Sequence, residues 1–171
     1  MNEWPQPLQP DDMWLNSPQL VMAKFQPLPQ IDTDELTLAL PKGKGSYALL
    51  LRLNQAVQLQ IGRLGRWPFA AGYYLYLGSA LGSGGLAARL RRHLSPTERP
   101  FWHIDYLRRQ AVVTAVWIQE GPVRLECAWA TRAAQWPGAA IPVPRFGASD
   151  CRCAAHLVYR SSGFGEIMPD A

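Results

Sequence analysis

Regular alternation of apolar and polar residues begins only after Lys42. A nearly continuous apolar run is followed by the turn signal Asn54-Gln55 and by a stretch in which apolar and polar residues alternate, and this pattern predicts a β-hairpin. A glycine-containing loop and a third, aromatic strand come next, and that strand stops at Gly78. The predicted ranges, in order, are the strands 46–53 and 57–61, the loop 62–72 and the strand 73–77.

Helical spacing begins after the flexible turn at 82–85. Leu86, Leu90 and Leu94 recur every four residues and form one apolar face, which predicts a helix. The remaining predicted elements are a helix over 101–110, a strand over 111–118, a helix from Pro122 to near 137–138, and a strand over 156–160. This order predicts an α+β fold in which a small mixed β-sheet is flanked by helices.

The first 41 residues differ from the rest of the chain. They contain seven prolines and no lasting helical or strand periodicity, which indicates an extended arm or a disordered leader. Their aromatic and aliphatic residues favour the alternative that part of the arm docks on the domain or on a partner. Residues 31–40 fit an edge strand and a helix equally well. The predicted organisation is a proline-rich acidic arm over 1–41, a domain over 42–165 and a tail over 166–171.

The composition is that of one globular domain. A chain of 171 residues with 48% hydrophobic residues is long enough to bury a core. No apolar run approaches the roughly 18 to 20 residues of a membrane span, and the N-terminus lacks the pattern of a signal peptide. Three cysteines, an odd number, do not suggest a secreted disulfide framework. We therefore expect a cytoplasmic protein with no membrane contact.

Charge is distributed unevenly along the chain. Residues 1–41 carry six acidic residues against one lysine, a net −5, whereas residues 42–171 carry sixteen basic against seven acidic residues, a net +9. Fourteen of those sixteen are arginines, whose planar guanidinium suits bidentate contact with phosphate. The domain is therefore expected to bind a polyanion such as DNA, although many basic surfaces bind no nucleic acid.

Four short sites in the middle of the chain carry candidate chemistry. They are Gly45-Ser46-Tyr47, Tyr76-Leu77-Gly78, Arg89 in the predicted first helix, and Glu126 in the predicted third helix. Their order and spacing resemble the GIY-YIG endonuclease superfamily. One departure is plain, because Ser46 stands where that superfamily usually has an aliphatic residue, but the tyrosine is retained.

Further motifs occur along the chain. They are Tyr76-Leu-Gly-Ser-Ala80, Arg91-Arg-His-Leu94, Trp102-His-Ile-Asp-Tyr-Leu107, Glu126-Cys127 and Phe146-Gly-Ala-Ser-Asp-Cys-Arg-Cys-Ala-Ala-His-Leu157. Together with Gly45-Ser46-Tyr47 they resemble an uncharacterised prokaryotic branch of GIY-YIG domains, which occurs alone or fused to endonuclease III-type DNA repair enzymes. The resemblance covers residues 43–160.

The resemblance implies a role for each residue in phosphodiester hydrolysis. Glu126 would hold a single Mg²⁺ or Mn²⁺, and Arg89 would contact the scissile phosphate. Tyr47 would position or deprotonate the attacking water, with Tyr76 as its partner. Each residue also has an ordinary alternative, since strand tyrosines usually pack, a helix arginine is usually solvated, and a glutamate near a helix N-terminus is favoured by the helix dipole.

Other polar residues near these motifs are candidates for DNA contact or catalysis. His93 and His103 would contact phosphate or assist proton transfer, and the alternative for each is a hydrogen-bonded structural role. Asp105 would either supplement the metal site or orient His103. Further phosphate contacts are expected from Arg91, Arg92, Arg108 and Arg109.

A second candidate site is formed by Cys151, Cys153 and His156. Thiolates and an imidazole suit zinc if a fourth ligand such as Cys127 or His103 lies close. The spacing is not that of a common zinc knuckle, and free cysteines also pack as small apolar residues, which we expect to be the commoner outcome.

Three functions are compatible with these features. The first is a metal-dependent DNA endonuclease in DNA repair or processing. The second is a non-catalytic DNA-binding or damage-recognition module, working with a DNA repair glycosylase. The third is an adaptor that uses the proline-rich arm. The sequence leaves the oligomeric state and the preferred DNA structure open.

Overall fold

The computed structural model describes residues 21–23, 40–95 and 97–164. The strands are Val21–Ala23 (β1), Gly45–Leu53 (β2), Val57–Gln60 (β3), Arg66–Phe69 (β4), Gly72–Ala80 (β5), Val112–Glu120 (β6) and Leu157–Arg160 (β7). The helices are Gly85–Leu94 (α1), His103–Arg108 (α2) and Glu126–Ala133 (α3). Among these residues, no helix has the length and apolar character needed to cross a membrane.

A five-stranded sheet in the order β1-β6-β2-β5-β7 forms the centre of the domain. The predicted α+β class is confirmed. The sequence suggested a mixed sheet, whereas every strand pair in it is antiparallel. β2 lies between β5 and β6, and its residues are apolar on both faces, as is common for a strand covered by side chains on both sides of a sheet.

The predicted hairpin between the first two strands of the domain is wrong. β3 pairs instead with β4 in a separate two-stranded sheet, with Val57 opposite Phe69, and β4 lies inside the range predicted as a loop. The side chains of β3 alternate between exposed and half-buried, so this strand cannot enter the centre of the main sheet. Pro68 lies in β4, where a short edge ribbon tolerates a missing amide donor.

The third helix begins four residues later than Pro122. Ser46 accounts for the shift, because its hydroxyl donates to the Val123 carbonyl (3.3 Å) and accepts from the Leu125 amide (3.0 Å). These peptide groups are thereby held outside the helix. α3 ends at Ala133, before the predicted end near 137–138, and tighter turns continue the chain to Trp136.

Two hydrophobic clusters lie on opposite faces of the sheet. On one face, Leu86 and Leu90 of α1 pack against Tyr47 and Leu49 of β2. On the other face, α3 packs on the sheet and contributes to a cluster whose large members are Leu75, Leu77, Trp117, Trp129, Trp136 and Phe164. The sheet therefore separates α1 from the body of α3, and only the first turn of α3 reaches the edge that both faces share.

The segment before β2 closes the N-terminus of α1. Leu86 donates its amide to the Gly43 carbonyl (2.8 Å), and Ala87 donates to the Pro41 carbonyl (3.0 Å). Gly85 has φ +57, and a Cβ there would lie 2.1 Å from the Lys42 carbonyl oxygen, so only glycine fits. These bonds satisfy helix amides that no side chain caps.

Part of the predicted arm belongs to the sheet. Val21–Ala23 pair with β6 as an edge strand, which agrees with the alternative that the arm docks on the domain. The predicted element at 31–40 lies outside the described residues except for Leu40, and the tail at 166–171 lies wholly outside them. The boundary between arm and domain stays a prediction.

Candidate active site

A cleft of about 530 Å³ opens at the edge of the sheet where β2 begins and β5 ends. Strands β2 and β5, helix α1, the start of α3 and the loop before β7 all line it. The residues singled out from the sequence for hydrolysis or DNA contact that share this cleft are Tyr47, Tyr76, Arg89, His103 and Glu126, and the candidate zinc ligand His156 lines it as well. The structure thus brings together residues that lie far apart in the sequence.

The two tyrosines lie on one face of the sheet. Tyr47 is opposite Gly78 in the pairing of β2 with β5, and Tyr76 lies two positions before Gly78, on the same face. Their ring centroids are 6.4 Å apart. A Cβ at Gly78 would lie 2.4 Å from the Tyr47 hydroxyl, so this position must be glycine for the Tyr47 ring to lie across β5.

Tyr47 is joined to His93 and Asp105. The Tyr47 hydroxyl lies 2.9 Å from His93 Nε2, and His93 Nδ1 lies 3.5 Å from Asp105 Oδ1, which is long for a hydrogen bond but close for a charge contact. The carboxylate favours the tautomer with the proton on Nδ1, so we assign Nε2 as the acceptor of the tyrosine hydroxyl proton. All three side chains are almost fully buried.

Asp105 is the centre of this network. Its Oδ2 accepts from the Phe101 amide (3.0 Å), the Trp102 amide (3.1 Å) and Arg92 Nη2 (3.0 Å). Burial works against ionisation, yet His93, these two amides and Arg92 hold the pKa of Asp105 well below its usual range. Asp105 therefore faces His93, whereas the sequence suggested that it orients His103 or supplements a metal.

Burial keeps the ring groups of the cleft uncharged. It lowers the pKa of His93, although the neighbouring Asp105 carboxylate opposes that shift. Burial likewise raises the pKa of Tyr47 and of Tyr76 well above the ordinary tyrosine value, and the Arg89 charge partly offsets both shifts. Near neutral pH both hydroxyls carry their protons and His93 is a neutral base.

Arg89 enters the cleft from α1. Its guanidinium carbon lies 4.2 Å from the centre of the Trp102 ring, and that of Arg92 lies 4.5 Å from it. Stacking on an aromatic ring holds a guanidinium in place and leaves its edge nitrogens for an anion. Arg92 is in addition bound to Asp105, so of the two only Arg89 is aimed at the cleft.

Glu126 is a buried carboxylate at the first position of α3, with 3% of its surface exposed. Its Oε1 lies 3.4 Å from Arg124 Nε, and within the described chain its buried Oε2 has no hydrogen-bond partner. Leaving such an oxygen unsatisfied costs about 1–3 kcal/mol or more, which a cation bound there would remove. Glu126 is thus suited to hold a divalent metal in the cleft.

Several contacts fix Glu126 from both sides. Ser46 holds the Leu125 amide directly before it, as described above. Arg124 forms a second ion pair with Asp150 (Nη1 to Oδ2, 2.9 Å), which joins the start of α3 to the loop before β7. Neither Ser46 nor the Arg124–Asp150 pair is expected from the sequence, because no local pattern links residues this far apart.

His103 lines the cleft and forms a hydrogen bond with the loop before β7. Its Nδ1 accepts a hydrogen bond from the Gly147 amide (2.9 Å). Gly147 has φ +73 and lies against Tyr76, so a side chain there would be strained and crowded. Burial lowers the pKa of His103, and a neutral Nδ1 acceptor agrees with that shift.

The predicted contact of Arg108 with phosphate is wrong. It is 9% exposed, and its guanidinium donates from Nε to the His93 carbonyl (2.6 Å), from Nη2 to the Leu94 carbonyl (2.9 Å) and from Nη1 to the Ala111 carbonyl. Arg108 thus caps the C-terminal end of α1 and is not available to DNA. Arg91 and Arg109 are exposed and lie outside the cleft lining.

The predicted cysteine and histidine ligands form a compact group beside the cleft. Cys127 is the second residue of α3, and it joins Cys151, Cys153 and His156, whereas His103 is not part of the group. The four ligand atoms all lie within 4.8 Å of one another. The cysteines are half-buried rather than packed in a core, and together with the imidazole they can hold a metal such as zinc.

Comparison with known proteins identifies the family. Residues 46–167 match the family model described as domain of unknown function DUF123. The chain belongs to the DUF123 family. No curated protein and no solved structure matches the chain.

The DUF123 region contains both side-chain groups described above. Within it lie the cleft residues from Tyr47 to His156, the Asp105 network and the cysteine group. Val21–Ala23 lie before it, so β6 takes one of its partners from outside the family region. The family thus comprises the whole of the candidate site.

Proposed function

We propose that this DUF123 domain is a GIY-YIG-type DNA endonuclease that hydrolyses phosphodiester bonds with a single divalent metal, in DNA repair or processing. The observation that carries the proposal is the buried Glu126 carboxylate, whose Oε2 has no hydrogen-bond partner among the residues that the structure describes and which faces the same cleft as Arg89 and Tyr47. A carboxylate, a guanidinium and a buried hydroxyl around one cleft are the groups that phosphodiester hydrolysis requires.

Glu126 is the residue that would hold Mg²⁺ or Mn²⁺. When bound, the metal neutralises charge that develops on the phosphate and stabilises the leaving oxygen. Ser46 anchors the backbone directly before Glu126, and the exposed Arg124–Asp150 ion pair adds a weaker contact to the neighbouring loop. A ligand held on rigid elements needs little reorganisation when substrate binds.

Tyr47, His93 and Asp105 provide a route for the proton of the attacking water. A water that donates to the Tyr47 oxygen can lose its proton while Tyr47 passes its own proton to His93 Nε2 (2.9 Å). The Asp105 carboxylate, 3.5 Å from Nδ1, then stabilises the imidazolium that forms. In this scheme the raised pKa of Tyr47 is no obstacle, because the hydroxyl never has to carry a lasting charge.

Arg89 is the phosphate contact of the proposal. The Trp102 ring supports its guanidinium, and both side chains line the cleft. A positive charge held in a partly desolvated cleft interacts with phosphate more strongly than one in open solvent. Tyr76 packs within 6.0 Å of His93, ring centre to ring centre, and so holds the imidazole and orders the cleft wall.

The resemblance of the sequence motifs to GIY-YIG nucleases, and to a branch fused to endonuclease III-type repair enzymes, supports DNA as the substrate and a repair glycosylase as a partner. The excess of arginine in the domain points in the same direction. The alternative is a DNA-binding or damage-recognition module without cleavage, which would use the same basic residues.

The test is a nicking assay on supercoiled and branched DNA with Mg²⁺ or Mn²⁺. We expect Glu126→Gln and Arg89→Ala each to reduce cleavage by at least about 10²-fold, as losses of charge-stabilising groups commonly do. Glu98→Gln and Arg52→Ala remove the same charges at exposed positions outside the cleft lining and should retain cleavage. Salt-dependent binding of DNA should survive Glu126→Gln.

Cleavage that persists in Glu126→Gln would refute the role of Glu126. Salt-dependent DNA binding by the wild type, with no cleavage of any substrate in either metal, would favour the recognition module instead. Absence of both binding and cleavage would remove nucleic acid from the proposal altogether.

A further inference from the structure

Three cysteines and one histidine form a group beside the cleft. His156 is the member of the group that also lines the cleft. His156 Nε2 is 3.6 Å from Cys127 Sγ and 3.4 Å from Cys151 Sγ. The first turn of α3 contributes Cys127, and the loop before β7 contributes the other three ligands, so the group joins two segments that come together only on folding. Nothing in the proposed hydrolysis uses these thiols.

The spacing of the ligand atoms is that of a tetrahedral zinc site. Zinc bonds of about 2.3 Å to sulfur and about 2.0–2.1 Å to nitrogen place neighbouring ligands about 3.6 Å (S to N) to 3.8 Å (S to S) apart. The two observed sulfur-to-nitrogen distances fall close to that value, and no pair of ligand atoms exceeds 4.8 Å. Small side-chain rotations would complete the geometry.

A disulfide explains the arrangement less well. A disulfide between two of the cysteines would not explain why the third thiol and the imidazole lie beside them. The backbone around the group is also already fixed, because His156 donates its amide to the Phe146 carbonyl (2.7 Å) and accepts from the Leu77 amide (2.9 Å). Four preformed ligands, three of them soft sulfurs, favour zinc over magnesium or calcium.

We propose that Cys127, Cys151, Cys153 and His156 form a four-coordinate structural Zn²⁺ site. All four positions are filled by protein, so the site has no open position for water or substrate. Each thiol that binds as thiolate releases its proton to solvent, while His156 binds through its neutral Nε2. The ion would fasten the loop before β7 to the first turn of α3.

This site adjoins the cleft through the chain itself. Cys127 follows Glu126 directly, and Cys151 follows Asp150, the partner of Arg124. Zinc bound at Cys127 would therefore restrain the backbone next to Glu126, the metal ligand of the proposed nuclease. Any effect on cleavage rests on the proposed function, whereas the metal content does not.

The experiment is metal analysis of the full-length protein purified without added metal, for wild type, Cys151→Ser, Cys153→His and Glu126→Gln. We expect about one zinc per chain in wild type and in Glu126→Gln, and at least about a tenfold loss of bound zinc in Cys151→Ser. Cys153→His offers an alternative zinc ligand and should retain zinc even if Cys151→Ser folds poorly. Co²⁺ added to the chelated wild type should give the intense visible bands of tetrahedral cobalt bound to thiolates.

The outcomes separate this site from the nuclease. Zinc in wild type and in Glu126→Gln, with cleavage in neither, would leave the zinc site standing and remove the proposed function. Three results would overturn the site. The first is a folded wild type that contains no metal and gives no cobalt–thiolate bands. The others are a disulfide within the group in protein purified under reducing conditions, and a zinc content that is unchanged in Cys151→Ser.

Discussion

Arg108 provides a prediction that depends on the fold alone. Its guanidinium donates to the carbonyls of His93, Leu94 and Ala111, so it holds the end of α1 against the turn after α2. Arg108→Met keeps most of the aliphatic stem but removes all three donors. Adjacent Arg109 is exposed, and Arg109→Met removes the same charge without those contacts.

The magnitude follows from the number of bonds. A hydrogen bond to a charged group contributes about 1.5–3 kcal/mol, and three of them at the lower end sum to about 4.5 kcal/mol. Water will reach some of the released carbonyls, and the three bonds are coupled, so we expect a loss of about 3 kcal/mol in the free energy of unfolding. For a domain of this size that corresponds to a fall in Tm of roughly 10 °C.

Urea unfolding followed by tryptophan fluorescence measures this loss, since the chain has seven tryptophans. Arg109→Met should change stability by about 0.5 kcal/mol at most, as surface substitutions usually do. The reasoning is refuted if the free energy of unfolding of Arg108→Met lies within about 1 kcal/mol of the wild-type value. A folded Arg108→Met protein whose DNA binding shows a weaker salt dependence than Arg109→Met would restore Arg108 as a phosphate contact.

Two further perturbations probe the cleft. Gly78→Ala would place a Cβ 2.4 Å from the Tyr47 hydroxyl, so we expect a loss of about 1–3 kcal/mol in stability and at least tenfold slower cleavage. Gly82→Ala places its Cβ in open space and is the control for stability alone, because Gly82 also lines the cleft. Equal stability of the two variants in urea unfolding would contradict the packing argument. Cleavage should decrease below pH 6.5, where His93 becomes protonated as the pH falls past its lowered pKa, because the scheme needs a neutral imidazole. A pH profile that shows no such decrease would exclude His93 as the proton acceptor. Stability should follow the same sign, because the unfolded chain binds a proton at His93 more readily than the folded chain does. The contribution of neutral His93 is complete above about pH 6.5 and is lost as pH falls toward its folded-state pKa. His93→Gln should reduce this loss without removing it, since burial also lowers the pKa values of His103 and His156, and an unchanged pH dependence of the urea midpoint in His93→Gln would contradict the reasoning.

The predictable part of the fold is the part with strong local signals. The apolar run of β2, the aromatic strand β5 and the leucine spacing of α1 each determine one element, and all three occur within a few residues of the predicted ranges. The pairing of β3 with β4 was missed because a turn signal at Asn54-Gln55 suggested a hairpin. A turn signal marks where the chain reverses, but it does not determine which strands pair, and β2 pairs with β5 and β6 instead.

The candidate site likewise has a part that the sequence predicted and a part that it did not. The motifs predicted that Tyr47, Tyr76, Arg89 and Glu126 belong together, and the structure places all four at one cleft, although their roles stay predictions. The Asp105 network could not be derived, because the contact of Asp105 with His93 depends on how α1 and α2 pack. An arginine in a sequence is equally compatible with solvent and with burial, which is why Arg108 was assigned to DNA.

Ser46 has a consequence for how such domains are recognised. Its hydroxyl bridges the Val123 carbonyl and the Leu125 amide, so the middle position of the Gly-Ser-Tyr tripeptide joins the strand to the helix that carries the acidic residue. Ser46 is therefore a structural contact of this chain, because its hydroxyl fastens the first strand of the domain to the backbone directly before Glu126. A search for chains with this arrangement should look for a hydroxyl residue directly before the tyrosine.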